Sequence, residues 1–394
     1  MEYVTLSNGV KMPILGYGVY QVTQDECERC VLDALEVGYR SIDTAQSYFN
    51  ESEVGSAIRK SGVKREDIFL ISKVWVEHYG YDECRASVEE SLRKLQTDYI
   101  DLMLLHQPFA DYYGAYRALE DLYDEGKLRA IGISNFYPDR MVDIASFARI
   151  RPMVNQVETH PHNQQTEAKK WMDKYGVRIE AWAPFGEGRG GLFTNEVLAA
   201  IGKKYRKTTA QVMLRWNIQR GVVVLPKSTH RERMIENLNV FDFTLSDEDM
   251  AAIAALDTAT SSFFSHYDPN MVEWFVKMVE ERKQNHDSGK EKKNCRRFMV
   301  KSRILGKDLE VSAVGLGCMG FTHAYGTVMD EKEAAKAIAE AVEMGYTFFD
   351  TAECYLGNRA DGTIARNEDL VGEALKPYRS RIKLATKCGV AHSP

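Results

Sequence analysis

Apolar and polar positions follow two periods that alternate along most of the chain. Short apolar runs, typical of buried strands, are followed by stretches in which apolar residues recur every three or four positions, as on one face of a helix. Strict strand–helix alternation over eight units predicts a parallel (β/α)8 TIM barrel, with a doubly wound sheet as the alternative. The eight predicted strands are Leu15–Gly18, Ser41–Asp43, Ile68–Lys73, Ile100–Leu105, Ala130–Ser134, Met153–Glu158, Arg178–Trp182 and Val222–Leu225.

A hairpin is predicted before the barrel, and helices are predicted between its strands. Tyr3–Leu6 and Lys11–Pro13 flank Asn8-Gly9, a dipeptide that favours a two-residue hairpin turn. A Ser-Asp-Glu-Asp cap predicts an additional helix at Ser246–Leu256. The other predicted helices are Glu26–Val37, Ser52–Lys60, Tyr81–Leu95, Tyr112–Asp124, Pro138–Ala148, Thr166–Tyr175, Thr208–Gln219 and Arg231–Asn237.

Composition excludes several classes of protein. A net charge of −6 with 27% charged and 44% hydrophobic residues is ordinary for a globular enzyme, so we expect neither a nucleic-acid nor a membrane partner. The start of the chain lacks the regions of a signal peptide, and the seven cysteines are thinly spread, so we expect a cytoplasmic protein with reduced thiols. Cys27-x-x-Cys30 lies in a helical run without a second pair nearby, and we predict no metal site.

An internal repeat accounts for the residues that exceed one barrel. The motif Gly-Tyr-x-x-x-Asp-Thr-Ala-x-x-Tyr occurs at residues 38–48 and again at residues 345–355, and Ser72-Lys73 corresponds to Thr386-Lys387. Between the two copies lies a basic run without apolar residues except one cysteine, which is typical of a solvated linker or a frayed helix end. We therefore predict a barrel at residues 1–282, a charged linker at 283–298 and an incomplete second barrel at 299–394.

Four polar side chains follow three consecutive predicted strands of the first barrel: Asp43, Tyr48, Lys73 and His106. The carboxyl ends of barrel strands open on one face, so these groups should converge there. An ammonium favours the phenolate and should lower the tyrosine pKa, while a neutral histidine can hold a carbonyl oxygen by a hydrogen bond. Such a group protonates an oxygen during carbonyl reduction, and the hydride must then come from a nicotinamide cofactor.

At these residues the sequence resembles the aldo-keto reductase family. The similarity spans residues 1 to about 282 and includes Gly-Tyr-Arg-Ser-Ile-Asp-Thr-Ala at 38–45, Lys-Val-Trp at 73–75 and Gly-Ile-Ser-Asn-Phe at 132–136. It continues with Asn-Gln-Val-Glu at 155–158 and Pro-Lys-Ser at 226–228. The resemblance implies that Asp43, Tyr48, Lys73 and His106 form a catalytic tetrad in which Tyr48 is the general acid.

The resemblance also implies a cofactor site. Ser134, Asn135 and Gln156 are expected to hold the nicotinamide carboxamide, and Trp182 is expected to stack on the nicotinamide ring. Two cations and a hydroxyl at one helix start suit a 2′-phosphate, so NADPH/NADP is favoured over NADH. A flexible connection is the alternative for the glycine-rich loop, and a charged helix face for the adenosine end. The loop residues are Phe185 and Gly186, and the adenosine-end residues are Lys227, Ser228, Arg233, Glu236 and Asn237.

For the substrate, the resemblance implies a pocket walled by Tyr20, Trp75 and His106. The alternative interpretation of Tyr20 and Trp75 is that they are aromatic residues of the core. A short loop after His106 predicts an open pocket for small aldehydes, dicarbonyls or keto-sugar acids. We expect a monomer; the competing hypothesis is a cofactor-binding regulatory or scaffold module without turnover. In the C-terminal segment, Asp350, Tyr355 and Lys387 match three tetrad positions, and we predict an inert fragment that arose by fusion or truncation.

Overall fold

The computed structural model describes residues 1–287, 302–323, 328–343, 345–359 and 361–388. It divides the chain into two compact units, Met1–Lys290 and Glu291–Pro394. Most of the predicted linker, from residue 288 onward, lies outside the described residues. No helix in the described ranges combines the length and apolar character that a membrane span requires.

The N-terminal hairpin forms, but its turn differs from the predicted one. β1 (Tyr3–Thr5) pairs antiparallel with β2 (Lys11–Pro13). The Gly9 amide donates to the Leu6 carbonyl at 2.9 Å, and Gly9 alone in the turn takes a positive φ, of 87°. A two-residue Asn-Gly turn needs positive φ at both residues. The prediction of that turn was wrong, and the connection is a longer loop in which the glycine supplies the left-handed position.

Eight parallel strands form the barrel of the first unit, in the order of the sequence. The sheet closes on itself because the Gly16 amide donates to the Val224 carbonyl and the Val224 amide donates to the Ile14 carbonyl, both at 2.9 Å. The (β/α)8 prediction is confirmed, and the doubly wound alternative is wrong. The strands are β3 (Tyr17–Gly18), β4 (Ser41–Asp43), β5 (Phe69–Val74), β6 (Leu102–Leu105), β7 (Ile131–Ser134), β8 (Val154–Glu158), β9 (Arg178–Trp182) and β10 (Val223–Val224).

Helices cover the outside of the barrel, so every residue of β5 and β6 is buried. Of the eleven helices in the described residues of the first unit, nine lie where the sequence predicted them, and α7 and α11 were missed. α11 continues to Asp287, past the predicted barrel boundary. The helices are α1 (Gln24–Val37), α2 (Glu51–Lys60), α3 (Tyr81–Leu95), α4 (Tyr112–Asp124), α5 (Pro138–Phe147), α6 (Thr166–Tyr175), α7 (Glu196–Tyr205), α8 (Thr209–Gln219), α9 (Arg231–Leu238), α10 (Asp247–Ala254) and α11 (Pro269–Asp287).

The second unit repeats the first steps of a barrel in its described residues. A hairpin precedes a three-stranded parallel sheet in the order β13-β14-β17, and a second hairpin is inserted before α13. Periodicity in the sequence predicts neither hairpin, but it predicts strands at Val311–Gly317, Thr347–Asp350 and Ile382–Lys387 and helices at Glu331–Met344 and Asp369–Leu375. The elements are β11 (Ser302–Leu305), β12 (Leu309–Ser312), β13 (Leu316–Gly317), α12 (Glu331–Glu343), β14 (Phe348–Asp350), β15 (Leu356–Asn358), β16 (Ile364–Arg366), α13 (Asn367–Leu375) and β17 (Lys383–Ala385).

Candidate active site

The four predicted tetrad residues lie at the carboxyl-terminal face of the barrel. Asp43 is the last residue of β4, and Lys73 is the next-to-last residue of β5, which pairs with β4. Tyr48 ends a one-turn 3-10 helix, Gln46–Tyr48, that follows β4. His106 directly follows β6, and its amide donates to the Val74 carbonyl at 3.1 Å. Adjacent parallel strands therefore bring these side chains together.

Lys73 connects the carboxylate to the phenol. Its Nζ donates to Asp43 Oδ1 at 2.7 Å, to the Thr44 carbonyl at 2.9 Å and to the Tyr48 hydroxyl at 3.3 Å. The Lys73 side chain is fully buried and that of Asp43 is 5% exposed, so the ion pair is shielded from water. The ammonium is thus fixed beside the Tyr48 oxygen.

Burial sets the protonation states of Tyr48 and His106. It raises the pKa of the Tyr48 phenol well above its usual value, and the Asp43 charge raises it further. The sequence-based expectation that Lys73 lowers this pKa was therefore wrong for the protein alone, because desolvation outweighs the ammonium. Burial, then the Lys73 charge, lowers the pKa of His106 well below its usual value. The site presents a protonated phenol and a neutral imidazole at neutral pH.

Gln156 and Glu180 form a second layer under the tetrad. They are cross-strand neighbours on β8 and β9. Gln156 Nε2 donates to Asp43 Oδ2 at 2.9 Å and to Glu180 Oε2 at 2.8 Å. Burial, and then repulsion by Asp43, raises the pKa of Glu180 to about 8. Sequence reasoning missed Glu180 because a lone glutamate in a strand carries no signal of its own.

A cavity of about 680 Å³ opens above the tetrad. Tyr48 and His106 line it, together with the predicted walls Tyr20 and Trp75. The Tyr20 ring centre lies 5.0 Å from that of Tyr48, and the Trp75 ring centre lies 4.9 Å from that of His106. Both predicted walls thus face the space in which a substrate would meet the phenol.

The same cavity is lined by the residues predicted to hold the nicotinamide: Ser134, Asn135, Gln156 and Trp182. Phe185, predicted to belong to the pyrophosphate loop, lines it too. Asn135 Oδ1 accepts from Trp182 Nε1 at 2.8 Å, and its Nδ2 donates to the His106 carbonyl at 3.0 Å. These bonds fix the amide and the indole in one orientation. Polar groups beside a flat aromatic side chain suit an amide-bearing ring, so the residues fit a nicotinamide.

The loop after β9 has a backbone suited to a close approach. Gly186 has a φ of 58°, and Gly188, Gly190 and Gly191 also have positive φ. Glu187 and Arg189 of this loop line the cavity, whereas Gly186 is buried beneath them. The predicted pyrophosphate loop therefore lines the cavity with Glu187 and Arg189, and not with Gly186 itself.

Of the predicted adenosine-end residues, Lys227 and Ser228 precede α9 and Arg233 lies in its first turn, whereas Glu236 and Asn237 lie in its last turn. Among these five, only Lys227 lines the cavity. Ser228 Oγ accepts from the His230 amide at 3.1 Å, which shapes the turn into the helix. Lys227 and Arg233 are exposed and form no ion pair with any described residue. Glu236 instead accepts from Thr208 at 2.6 Å, and Asn237 is buried. Two free cations beside a helix start remain a fitting place for a phosphate.

Helix α11 supplies a wall that sequence reasoning missed. Trp274, Phe275, Met278 and Arg282 line the cavity, and the Phe275 ring centre lies 5.9 Å from that of Trp75. A signal was present, because Met271, Val272, Phe275, Met278 and Val279 recur at helical spacing and pack on the core. The pocket is therefore bounded on a side that was predicted to be open.

The second unit reproduces three tetrad positions. Lys387 forms an ion pair with Asp350, and its Nζ lies 4.9 Å from the Tyr355 ring centre. In the first unit, the distance from Lys73 Nζ to the Tyr48 ring centre is 4.8 Å. In the second unit, however, the side chains of Lys387 and Asp350 are 47% and 37% exposed. The local geometry recurs without the burial.

Sequence comparison finds proteins of one family. The family model described as "Aldo/keto reductase family" matches residues 14–258 and 313–394. Glyoxal reductase of Bacillus subtilis is 49% identical over 258 residues, which are 65% of this chain and 93% of that protein. The 9,11-endoperoxide prostaglandin H2 reductase of Trypanosoma cruzi is 46% identical over 258 residues, which are 64% of this chain and 91% of that protein.

Solved structures agree with the sequence comparison. An aldo-keto reductase from a deep-sea metagenome library of the Medee basin has a TM-score of 0.65 and 42% identity, over 67% of this chain and 98% of that one. An aldo-keto reductase of Bombyx mori in complex with NADP has a TM-score of 0.64 and 33% identity, over 67% of this chain and 95% of that one. With the barrel and the convergent side chains, these matches establish that the chain belongs to the aldo-keto reductase family, oxidoreductases that use NAD(P)H.

Proposed function

We propose that this protein reduces small aldehydes and ketones to alcohols, with NADPH as hydride donor and Tyr48 as proton donor. The observation that carries the proposal is the buried Asp43–Lys73 ion pair, whose ammonium lies 3.3 Å from the Tyr48 hydroxyl at the base of the cavity. A buried charge pair is costly to maintain, and here it positions a cation beside a single phenol. Family membership supports carbonyl reduction in general.

Four side chains take part in the transfer of one proton to the substrate, each in a different role. NADPH, when bound, supplies a hydride to the carbonyl carbon. As negative charge develops on the carbonyl oxygen, Tyr48 gives that oxygen its proton, and the Lys73 ammonium stabilises the phenolate that remains. Neutral His106 donates a hydrogen bond to the same oxygen and orients it. Asp43 holds Lys73 in place, as the 2.7 Å contact between them supports.

We propose that the cofactor occupies the side of the cavity formed by β7, β8, β9 and the following loop. Ser134, Asn135 and Gln156 would bind the carboxamide, and Trp182 would stack on the ring. Lys227 and Arg233, both exposed and without an ion-pair partner among the described residues, favour NADPH over NADH because a 2′-phosphate would pair with them. Phe185 and Gly186 would flank the pyrophosphate, while Ser228, Glu236 and Asn237 would bound the adenosine.

The proposed substrates are small aldehydes, dicarbonyls and keto-sugar acids, held between Tyr20, Trp75 and His106. A cavity of about 680 Å³ has to hold the nicotinamide end of a cofactor as well as the substrate, so little space is left for a large one. The similarity to the B. subtilis glyoxal reductase supports a dicarbonyl among them.

The experiment is an assay of NADPH consumption with a panel of small carbonyl compounds, run in parallel with NADH. Tyr48→Phe should lower kcat by about 10²- to 10⁴-fold, the usual contribution of a general acid, and should still bind NADPH. Tyr355→Phe in the second unit is the matched control and should turn over normally. Normal turnover by Tyr48→Phe would refute the proton-donor assignment. Tight NADPH binding without turnover on any substrate would instead favour the cofactor-binding module.

A further inference from the structure

Arg282 is a cation on the wall of the active-site cavity that the proposed reaction does not use. It lies on α11, one turn after Met278 and two turns after Phe275, and all three line the cavity. Residues at this spacing share one face of a helix. The Arg282 side chain is 29% exposed, so it is partly shielded but still reachable from the cavity.

Two aromatic rings hold the guanidinium in place. Its central carbon lies 5.2 Å from the ring centre of Phe49 and 5.5 Å from that of Trp75. Such cation–π contacts orient a guanidinium without using its N–H groups. These two contacts therefore leave the N–H groups of Arg282 unused.

One of these donors lacks a hydrogen-bond acceptor. Arg282 Nη1 is buried and has no hydrogen-bond partner among the described residues. The carboxylate nearest to it in the described ion pairs, Glu77 Oε2, lies 4.0 Å away, beyond hydrogen-bond distance. A buried N–H without an acceptor costs stability, and such groups in native proteins call for an explanation. Because Nη1 itself is shielded, an anionic ligand in the cavity would meet the exposed 29% of the Arg282 side chain and would balance a charge that Nη1 leaves without a hydrogen-bonded partner.

The position of Arg282 assigns it to the substrate and not to the cofactor. The Trp75 ring contacts both groups, since its centre lies 5.5 Å from the guanidinium carbon and 4.9 Å from the centre of the His106 ring. The other cavity-lining cations outside the tetrad, Arg189 and Lys227, belong to the loop after β9 and the segment after β10, where the cofactor is proposed to lie. A ligand that reaches both Tyr48 and Arg282, which line the same cavity, must carry an anionic group besides its carbonyl.

We propose that Arg282 binds a carboxylate of the substrate, so that the site prefers oxo acids, with the reacting carbonyl a few bonds from the carboxylate. This inference rests on the carbonyl reduction proposed above. A carboxylate matches the planar fork of a guanidinium, and the pair is strengthened in a cavity that excludes water. Glu77, close to the same guanidinium, would oppose the substrate charge.

The experiment compares 4-oxobutanoate with butanal, two four-carbon aldehydes that differ in a carboxylate, using the full-length protein and saturating NADPH. The wild type should have a kcat/KM ratio well in favour of the oxo acid. Arg282→Gln should lower that ratio about 10- to 100-fold, the usual effect of losing one charge-assisted contact. Glu77→Gln should raise the ratio, because it removes a competing negative charge. Both substrates are measured on one sample, so a partly unfolded variant cannot imitate the effect.

Arg93→Gln is the matched control, since Arg93 is 72% exposed on α3, and it should leave the ratio unchanged. The assignment of Arg282 would be overturned if the wild-type ratio were near one and Arg282→Gln did not alter it. Turnover of both aldehydes in that case would still uphold the reductase proposal. A further pair, glyceraldehyde 3-phosphate and glyceraldehyde, identifies the anion. An Arg282 effect confined to that pair would refute the carboxylate and assign a phosphate. Absence of turnover on every aldehyde would overturn the proposed function, and this inference with it.

Discussion

Glu180 is a carboxyl group inside the barrel whose proton is tied to stability. Its Oε1 is buried without a hydrogen-bond partner, and burial raises its pKa to about 8. The folded protein therefore keeps this proton from about pH 4.5 to about 8, a range in which the unfolded chain loses it. The stability that the group contributes is complete below that range and is lost as pH rises through it.

Glu180→Gln should remove this dependence. The free energy of unfolding of the variant, minus that of the wild type, should be about 1–3 kcal/mol larger at pH 9 than at pH 5. The reason is that the wild type must carry a buried charge at pH 9, whereas the variant has no group to ionise there. Thermal unfolding at both pH values measures this. The exposed Glu66 offers a control, and Glu66→Gln should shift the midpoint equally at both. Equal shifts for Glu180→Gln would mean that the carboxyl is not protonated as inferred.

The protonation states of Tyr48 and His106 predict a flat pH profile of activity. Because the pKa of His106 is well below, and that of Tyr48 well above, their usual values, neither group changes charge between about pH 6 and pH 7.5. The rate of NADPH consumption with a saturating aldehyde should stay constant over this range. A step in the rate near pH 6.5 that His106→Gln abolished would contradict the neutral imidazole.

At the residue scale, spacing along the sequence predicted where the side chains lie, but it did not predict their environment. Asp43, Lys73 and His106 could be placed together because each lies at the carboxyl end of a strand. The direction of the Tyr48 pKa shift could not be predicted, since it depends on how much water the cavity excludes. The role of Glu180 depends on its register opposite Gln156, which strand spacing does not specify.

At the scale of elements, the packing of α11 centres on Phe275, which is the most buried of the described residues of this helix. Phe275 is 4% exposed, and its ring centre lies 5.2 Å from that of Phe109 and 6.0 Å from that of Phe264. Phe275→Ala should destabilise the first unit by about 3 kcal/mol and raise amide exchange along α11. Val276, 51% exposed on the same helix, gives the control, and Val276→Ala should change neither measurement. A fast-exchanging α11 in the wild type would contradict this packing.

Elements were predictable where periodicity and flanking signals agreed. The bounds of α3, α4, α6 and β9 match the predicted ones because apolar spacing and flanking turns coincide. α11 has the spacing, but it runs into a basic stretch that is typical of a linker, and α7 follows a glycine-rich loop that hides its start. The hairpin turn was mistaken because Asn-Gly is compatible with more than one loop length.

At the scale of the whole molecule, the repeat in the sequence folds to the same local structure twice. Thr44 Oγ1 donates to Asn50 Oδ1 at 2.8 Å in the first unit, and Thr351 Oγ1 donates to Asn367 Oδ1 at 2.6 Å in the second. The same sequence motif therefore gives the same local hydrogen bond in both units. The difference lies in burial, because three parallel strands in the described part of the second unit leave Asp350 and Lys387 partly exposed.

Exposure predicts that the second copy does not contribute to turnover. Lys73→Met should abolish measurable NADPH consumption, because the buried Asp43 and Tyr48 lose their cation. Lys387→Met should leave kcat and KM unchanged, because water already solvates the ion pair that it removes. Assays of the two variants side by side provide the comparison. A loss of activity in Lys387→Met would indicate that the second unit supports the first.

The predicted division of the chain can be tested by ending it after Lys290. All the described residues that line the active-site cavity belong to the range from Gly18 to Arg282, so the shortened protein keeps them. Its kcat/KM should match that of the full chain within about twofold, because the described residues that line the cavity all belong to the part that is kept. Limited proteolysis of the full chain should cut within residues 290–297 and release the same active fragment. If the shortened protein folds, by circular dichroism, but has lost activity, the site depends on residues 291–394 and the proposed boundary is wrong.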